Sequence, residues 1–230
     1  MRQLDVINAY PCSDLHATVY MRPPEGLKCP EGKVLLVKKS LYGLKQSGRE
    51  WYIVASRGLE SLGFTSCFSE PCLFVTPDRG LIVGLYVDDM LILGADPKRV
   101  QDLVERIATL WEVRDLGDAG AILNIRIIRD RQKKTLSINQ GLYIDKLIER
   151  FRLGDAKPMN LPASDRNALI RGHSGEPQAD QHLYQQAIGG LMWIAKGTRM
   201  DIAYAVGSLA STARSLRFDI GMPCYEYYGT

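Results

Sequence analysis

Apolar and polar positions along this chain follow two different periods, and the switches between them mark the elements. Leu4 to Tyr10 is a short strand candidate that stops near Pro11, and Val34 to Val37 is a second β-prone run. Trp51, Ile53, Val54, Leu59 and Leu62 then recur at loosely helical spacing until Gly63 closes the segment. Leu81 to Gly94 is more informative: Leu-Ile-Val-Gly-Leu-Tyr-Val precedes Asp88 and Asp89, and Met-Leu-Ile-Leu-Gly follows them. Two apolar runs around two turn-prone residues predict a β-hairpin with both carboxylates at or next to the turn. Asp96 is placed to cap a helix whose first position is Pro97. Val100, Leu103, Val104, Ile107 and Trp111 share one face of that helix, which predicts packing against a sheet.

The second half repeats the theme. Ile122, Leu123, Ile125, Ile127 and Ile128 form another β-prone run, and the charged turn Arg129 to Lys134 leads to Leu136–Ile138, a second hairpin candidate. After Gly141, the spacing of Ile144, Leu147, Ile148 and Phe151 predicts an amphipathic helix. Asp155 to Gln178, rich in Pro, Gly, Ser and charge, reads as a connector. Beyond it, Tyr184 to Ala195 and Asp201 to Ala213 read as two helices. Strands first and helices last predict an α+β fold with a helical appendage.

Composition changes this picture little. The 230 residues suit one compact domain or two small subdomains sharing a core, and 46% hydrophobic with 24% charged residues is ordinary for a globular protein. A net charge of +3 permits a polyanionic partner without requiring one. Asp88 and Asp89 interrupt the best membrane-span candidate, Leu81 to Leu93, and no signal peptide is visible. An intracellular, cytoplasmic protein without a membrane partner is therefore expected. Cys12, Cys29, Cys67, Cys72 and Cys224 are irregularly spaced, and His16, His173 and His182 fall at no zinc-ligand spacing. Neither zinc nor a disulfide framework is expected.

The carboxylates carry the candidate chemistry. An Asp pair in a hairpin is ordinarily a solvated turn. Here the flanks are apolar on both faces, as in buried strands, where adjacent like charges cost free energy unless a cation compensates. Oxygen-only ligands favour magnesium or manganese. Asp5 likewise stands between Leu4 and Val6 on a predicted strand. Were the two strands neighbours, their carboxylates could converge to hold two metals; composition and spacing leave that reading level with the solvated turn.

Leu4-Asp5-Val6-Ile7-Asn8-Ala9-Tyr10 is followed by Val19-Tyr20-Met21 and Pro24-Glu25-Gly26. Then come Lys39-Ser40-Leu41-Tyr42-Gly43-Leu44-Lys45-Gln46-Ser47-Gly48-Arg49-Glu50-Trp51-Tyr52 and Tyr86-Val87-Asp88-Asp89-Met90-Leu91-Ile92. Asp115-Leu116-Gly117, Tyr143-Ile144, Ile188 to Met192, Thr198-Arg199 and Ala203 to Val206 continue the series to about Ser211. In this order the blocks resemble the reverse transcriptase of copia-type retrotransposon Pol polyproteins. The resemblance implies a right-hand polymerase: partial fingers and palm over residues 1–155, a connector over 156–180, and a helical thumb-like segment over 181–230. It implies an RNA-directed DNA polymerase acting on deoxynucleoside triphosphates and an RNA or DNA template with its primer. Asp5, Asp88 and Asp89 match the family's metal-binding aspartates, holding two magnesium or manganese ions. Tyr10 matches the residue that excludes a 2′-hydroxyl, and Gln46 one beside the incoming nucleotide. Lys38, Lys39, Lys45 and Arg49 could touch nucleic acid, as an ordinary solvated face equally could hold them.

Met1 lies only four residues ahead of Asp5, so the strand of Asp5 is expected to fray. Asn124 stands where the family usually has glycine, Met200 where it usually has proline, and the sequence after Ser211 diverges. These departures point to a truncated copy. The alternatives are a catalytically inactive, nucleic-acid-binding remnant and a relic that binds no nucleic acid.

Overall fold

The computed structural model describes residues 1–157 and 180–215 as a mixed α/β protein. The predicted connector and the diverged end beyond residue 215 lie largely outside the described residues. Two compact units divide the chain, Met1–Ile122 and Leu123–Thr230.

The first unit contains β1 (Arg2–Val6), β2 (Asp14–Met21), β3 (Leu35–Lys39), α1 (Ser47–Ser61), β4 (Thr65–Ser66), β5 (Leu73–Val75), β6 (Leu81–Tyr86), β7 (Asp89–Gly94), α2 (Pro97–Leu110), β8 (Val113–Gly117) and β9 (Ala121–Ile122). Six of these strands form one sheet in the order β4-β5-β6-β7-β1-β8. Leu4 and Val6 of β1, Val83 and Leu85 of β6, and Met90 and Ile92 of β7 turn to one face. There they join Trp51, Ala55 and Leu59 of α1 and Val100, Leu103, Val104 and Ile107 of α2 in a single core. The alternate residues Asp5, Asp89 and Leu91 occupy the other face and are half-buried. Period-2 alternation thus places the carboxylates on the side away from the helices.

Several expectations are met in detail. Asp96 caps α2 by accepting a hydrogen bond from the Lys98 amide, with Pro97 opening the helix. The hairpin of β6 and β7 carries its carboxylates at the turn; Trp111 joins the same core as the helical stripe, though with extended backbone just past the end of α2.

Three readings of the first unit need correction. The strand of Asp5 is not frayed: β1 pairs antiparallel with β7 on one edge and β8 on the other. Arg2 is further held by a two-pronged ion pair with Asp115, at 2.8 Å and 2.5 Å. The run through Tyr10 is not all strand; Asn8 turns left-handed (φ 55°), and Tyr10–Cys12 forms a 3-10 turn opened by Pro11. Finally, β6 and β7 are buried on one face only, although both of their faces are apolar.

The second unit contains β10 (Ile125–Asp130) and β11 (Thr135–Asn139), an antiparallel hairpin in the expected place. The β-prone run from Ile122 is interrupted rather than continuous, because Leu123 and Asn124 both lie in the left-handed region (φ 53° and 61°). The three expected helices follow as α3 (Gly141–Arg150), α4 (Gln181–Gly197) and α5 (Ala203–Ser215). Buried Gln140 accepts a 2.8 Å hydrogen bond from the Thr198 hydroxyl, tying the start of α3 to the end of α4. No helix among the described residues is long and apolar enough to cross a membrane.

Candidate active site

Tyr86 pairs with Asp89, so the β6–β7 hairpin closes through only two residues, Val87 and Asp88. Val87 has φ 55° and Asp88 is not left-handed, the pattern of a type II′ turn, whose first central position ordinarily takes glycine. A β-branched residue there costs about 1–2 kcal/mol. Two hydrogen bonds hold the turn in this conformation. The indole N–H of Trp51, on α1, donates to the Val87 carbonyl at 2.6 Å. The amide of Val6, on β1, donates to the Asp88 carbonyl at 2.7 Å.

Strand register then brings the carboxylates together. Asp5 lies directly opposite Asp89 across β1 and β7, with Asp88 next to it on the turn. Like charges in directly opposed positions destabilise a sheet unless something compensates. Two side chains do so in part. Arg114, opposite Asp5 on β8, places a guanidinium nitrogen 3.9 Å from its carboxylate. The buried Gln3 amide donates to Asp89 at 3.2 Å. Among the described residues, no three His, Cys, Asp or Glu side chains are already arranged to hold a metal ion. The donor set nevertheless fits a hard cation: all the donors are carboxylate oxygens, two face each other, and both are half-exposed to ions from solvent.

Tyr10 leaves the end of β1 in the 3-10 turn, and its ring lies 4.5 Å from that of Tyr42, centroid to centroid. Tyr42 belongs to the loop before α1, which Ser47 folds back by accepting from the Leu41 amide and donating to the Leu41 carbonyl. Desolvation, then the charges of Asp88, Tyr10 and Asp5, push the Tyr42 phenol above its ordinary value, so its hydroxyl is within electrostatic reach of the carboxylates. Gln46 is the residue immediately before α1, and its side chain makes no capping hydrogen bond. Lys38, Lys45 and Arg49 are exposed. Lys39 is also exposed, but its ammonium pairs with Asp14 at 2.8 Å across β2 and β3. The expected basic stretch is thus partly neutralised by its own sheet partner.

Three neighbours escaped sequence reasoning. Gln3 precedes the strand run read from Leu4, Trp51 reads as an apolar residue of a helix, and Tyr42 lies in a block whose chemistry is carried by Gln46. The indole donor of a buried Trp is the one signal that could have exposed such a role, because a buried N–H ordinarily finds an acceptor.

A family model for reverse transcriptase (RNA-dependent DNA polymerase) matches residues 1–165. The retrovirus-related Pol polyprotein from transposon TNT 1-94 of Nicotiana tabacum is 35% identical over 217 residues, 90% of this chain and 16% of that protein. The corresponding polyprotein from transposon RE1 of Arabidopsis thaliana is 35% identical over 214 residues, covering 91% of this chain and 14% of its own length. The truncated transposon Ty1-A Gag-Pol polyprotein of Saccharomyces cerevisiae is 25% identical over 226 residues, 90% of this chain and 18% of that protein. No solved structure matches. The chain therefore spans less than a fifth of the length of each of these relatives.

Proposed function

The chain belongs to the reverse transcriptase (RNA-dependent DNA polymerase) family, in the branch found in copia-type Pol polyproteins, and on that premise we propose that it extends a primer 3′-hydroxyl with deoxynucleotides on an RNA or DNA template. The observation that carries this reading is the facing of Asp5 and Asp89 beside the turn residue Asp88. In this reading the six-stranded sheet with α1 and α2 is the palm, β2 and β3 belong to the fingers, and α4 and α5 are thumb-like. The corresponding divisions are residues 1–155, 156–180 and 181–230.

Asp5, Asp88 and Asp89 would hold two magnesium or manganese ions. When bound, these supply Lewis-acid stabilisation of the attacking primer oxygen and of charge developing on the triphosphate. The protein's own part is positional. A sheet whose opposite face is a packed core presents the carboxylates with little freedom to drift. No side-chain nucleophile is required, because the attacking oxygen belongs to the primer. Tyr10, backed by Tyr42, would pack beneath the deoxyribose and clash with a 2′-hydroxyl. Gln46 would lie beside the incoming nucleotide, and Lys38, Lys45 and Arg49 would meet phosphates, with Lys39 contributing less while it pairs with Asp14.

The test is incorporation of labelled deoxythymidine triphosphate on poly(rA)–oligo(dT), with magnesium and with manganese, beside Asp88→Asn. Incorporation reduced about 100-fold or more in the variant is expected. Equal incorporation by the two proteins would remove Asp88 from the site. A folded chain that retains template–primer at low salt yet never extends it would instead be the inactive remnant.

A further inference from the structure

We propose that Trp51 is a positioning residue for the Asp88 carboxylate, holding through its indole N–H the strained turn from which that carboxylate projects. The inference rests on the reading of Asp88 as a metal ligand.

The geometry isolates Asp88 between two fixed peptide units. The unit before it carries the Val87 carbonyl, which accepts from Trp51 at 2.6 Å. The unit after it carries the Asp88 carbonyl, which accepts from the Val6 amide at 2.7 Å. Once both peptide planes are set, the direction in which the Asp88 side chain leaves the backbone is set with them. The two tethers also come from different places. Val6 lies on the strand that bears Asp5, so its hydrogen bond locks the turn to the partner carboxylate. Trp51 lies on α1, so its hydrogen bond locks the turn to the core.

The Trp51 tether matters because Val87 would not choose its conformation unaided. A β-branched residue at φ 55° is an outlier in a position that suits glycine. Released from its donor, the Val87–Asp88 peptide could rotate and carry the carboxylate away from Asp5. Trp51 is well suited to the task. It is 1% exposed, and Trp111 holds its ring edge-on with centroids 5.5 Å apart. Indole offers only a donor, so a phenyl ring of similar shape keeps the packing and loses the tether. The rival reading is that Trp51 fills the core and merely satisfies its own N–H there. That reading predicts a change in stability alone.

The experiment compares the full 230-residue chain with Trp51→Phe, Trp111→Phe and Asp88→Asn. Manganese affinity is followed by water proton relaxation in the presence of deoxythymidine triphosphate and poly(rA)–oligo(dT), and incorporation is measured beside it. Trp51→Phe is expected to weaken manganese binding about 10-fold or more and to lower kcat similarly, with little change in KM for the nucleotide. Trp111→Phe disturbs the same core but keeps an aromatic ring against Trp51 and leaves the Trp51 N–H itself in place, so the tether is retained. It is expected to lower the melting temperature while leaving manganese affinity within about 2-fold. Manganese affinity unchanged in Trp51→Phe but lost in Asp88→Asn would overturn the inference and leave the function standing. Affinity unchanged in Asp88→Asn would remove the metal site itself, and the positioning role with it. The relaxation readout decides between these outcomes whether or not the chain turns over.

Discussion

Gly58, on the buried side of α1, has no Cβ where one would lie 2.4 Å from two ring atoms of Trp111. Its missing methyl group lets Trp111 close over the helix, where its ring meets that of Trp51 edge-on. Gly58→Ala is expected to destabilise the protein by about 1–3 kcal/mol through overpacking, read from urea unfolding. A loss within the error of the urea fit would mean that Trp111 can move aside without cost. Tyr10 gives a residue-level test of a different kind. Removing its ring by Tyr10→Ala should raise incorporation of ribonucleotides relative to deoxyribonucleotides by about 10-fold or more, measured as the ratio of kcat/KM for the two. An unchanged ratio would reduce Tyr10 to a packing partner of Tyr42.

Helices and hairpins with local signals could be read directly from the chain. The α2 helix was legible because its cap, its opening proline and its apolar stripe all lie within its own residues. Asp96→Ala should therefore cost about 1 kcal/mol in the same unfolding assay. The β2 strand was illegible for the opposite reason: most of its residues are exposed, so no alternation of apolar and polar positions records its two faces. Leu123 was misread because a β-prone composition does not report a left-handed backbone, whereas Asn124, standing at a usual glycine, does take one. The security of β1 was invisible too, since Arg2 and Asp115 meet only after folding. Hydrogen bonding to Arg2 holds the Asp115 carboxyl below its ordinary value. The folded protein then binds this proton less readily than the unfolded chain does. The stabilisation is fully present above the unfolded value, about pH 4, and is lost as the pH falls through the lower folded value. The stability gap between the parent and Asp115→Asn should accordingly be widest near neutral pH and narrow in acid. A gap that stays constant with pH would show that the ion pair does not couple to folding.

Across the whole molecule, residue types announced the site but not its assembly. Asp5, Asp88 and Asp89 were visible as apolar-flanked carboxylates, whereas their facing depends on register between strands distant in the chain. Gln3, Trp51 and Tyr42 were missed because each acts through a neighbour that only the fold provides. The charged surface shows the same dependence on pairing. Asp14→Asn should release Lys39, tighten retention of poly(rA)–oligo(dT) at low salt and steepen its salt dependence by up to about one phosphate contact. Unaltered retention would place Lys39 outside the nucleic-acid path. The central position of β1 has a further consequence, for the order of events during synthesis. Within this unit the strand is synthesised before all the others, yet its two partners, β7 and β8, are among the last of the unit to be made. Until they emerge, β1 is an unpaired edge open to wrong partners, and its correct closure must bear the entropy of a long loop. The facing of Asp5 and Asp89 is thus among the latest features of the unit to form, and it is absent until the sheet is complete.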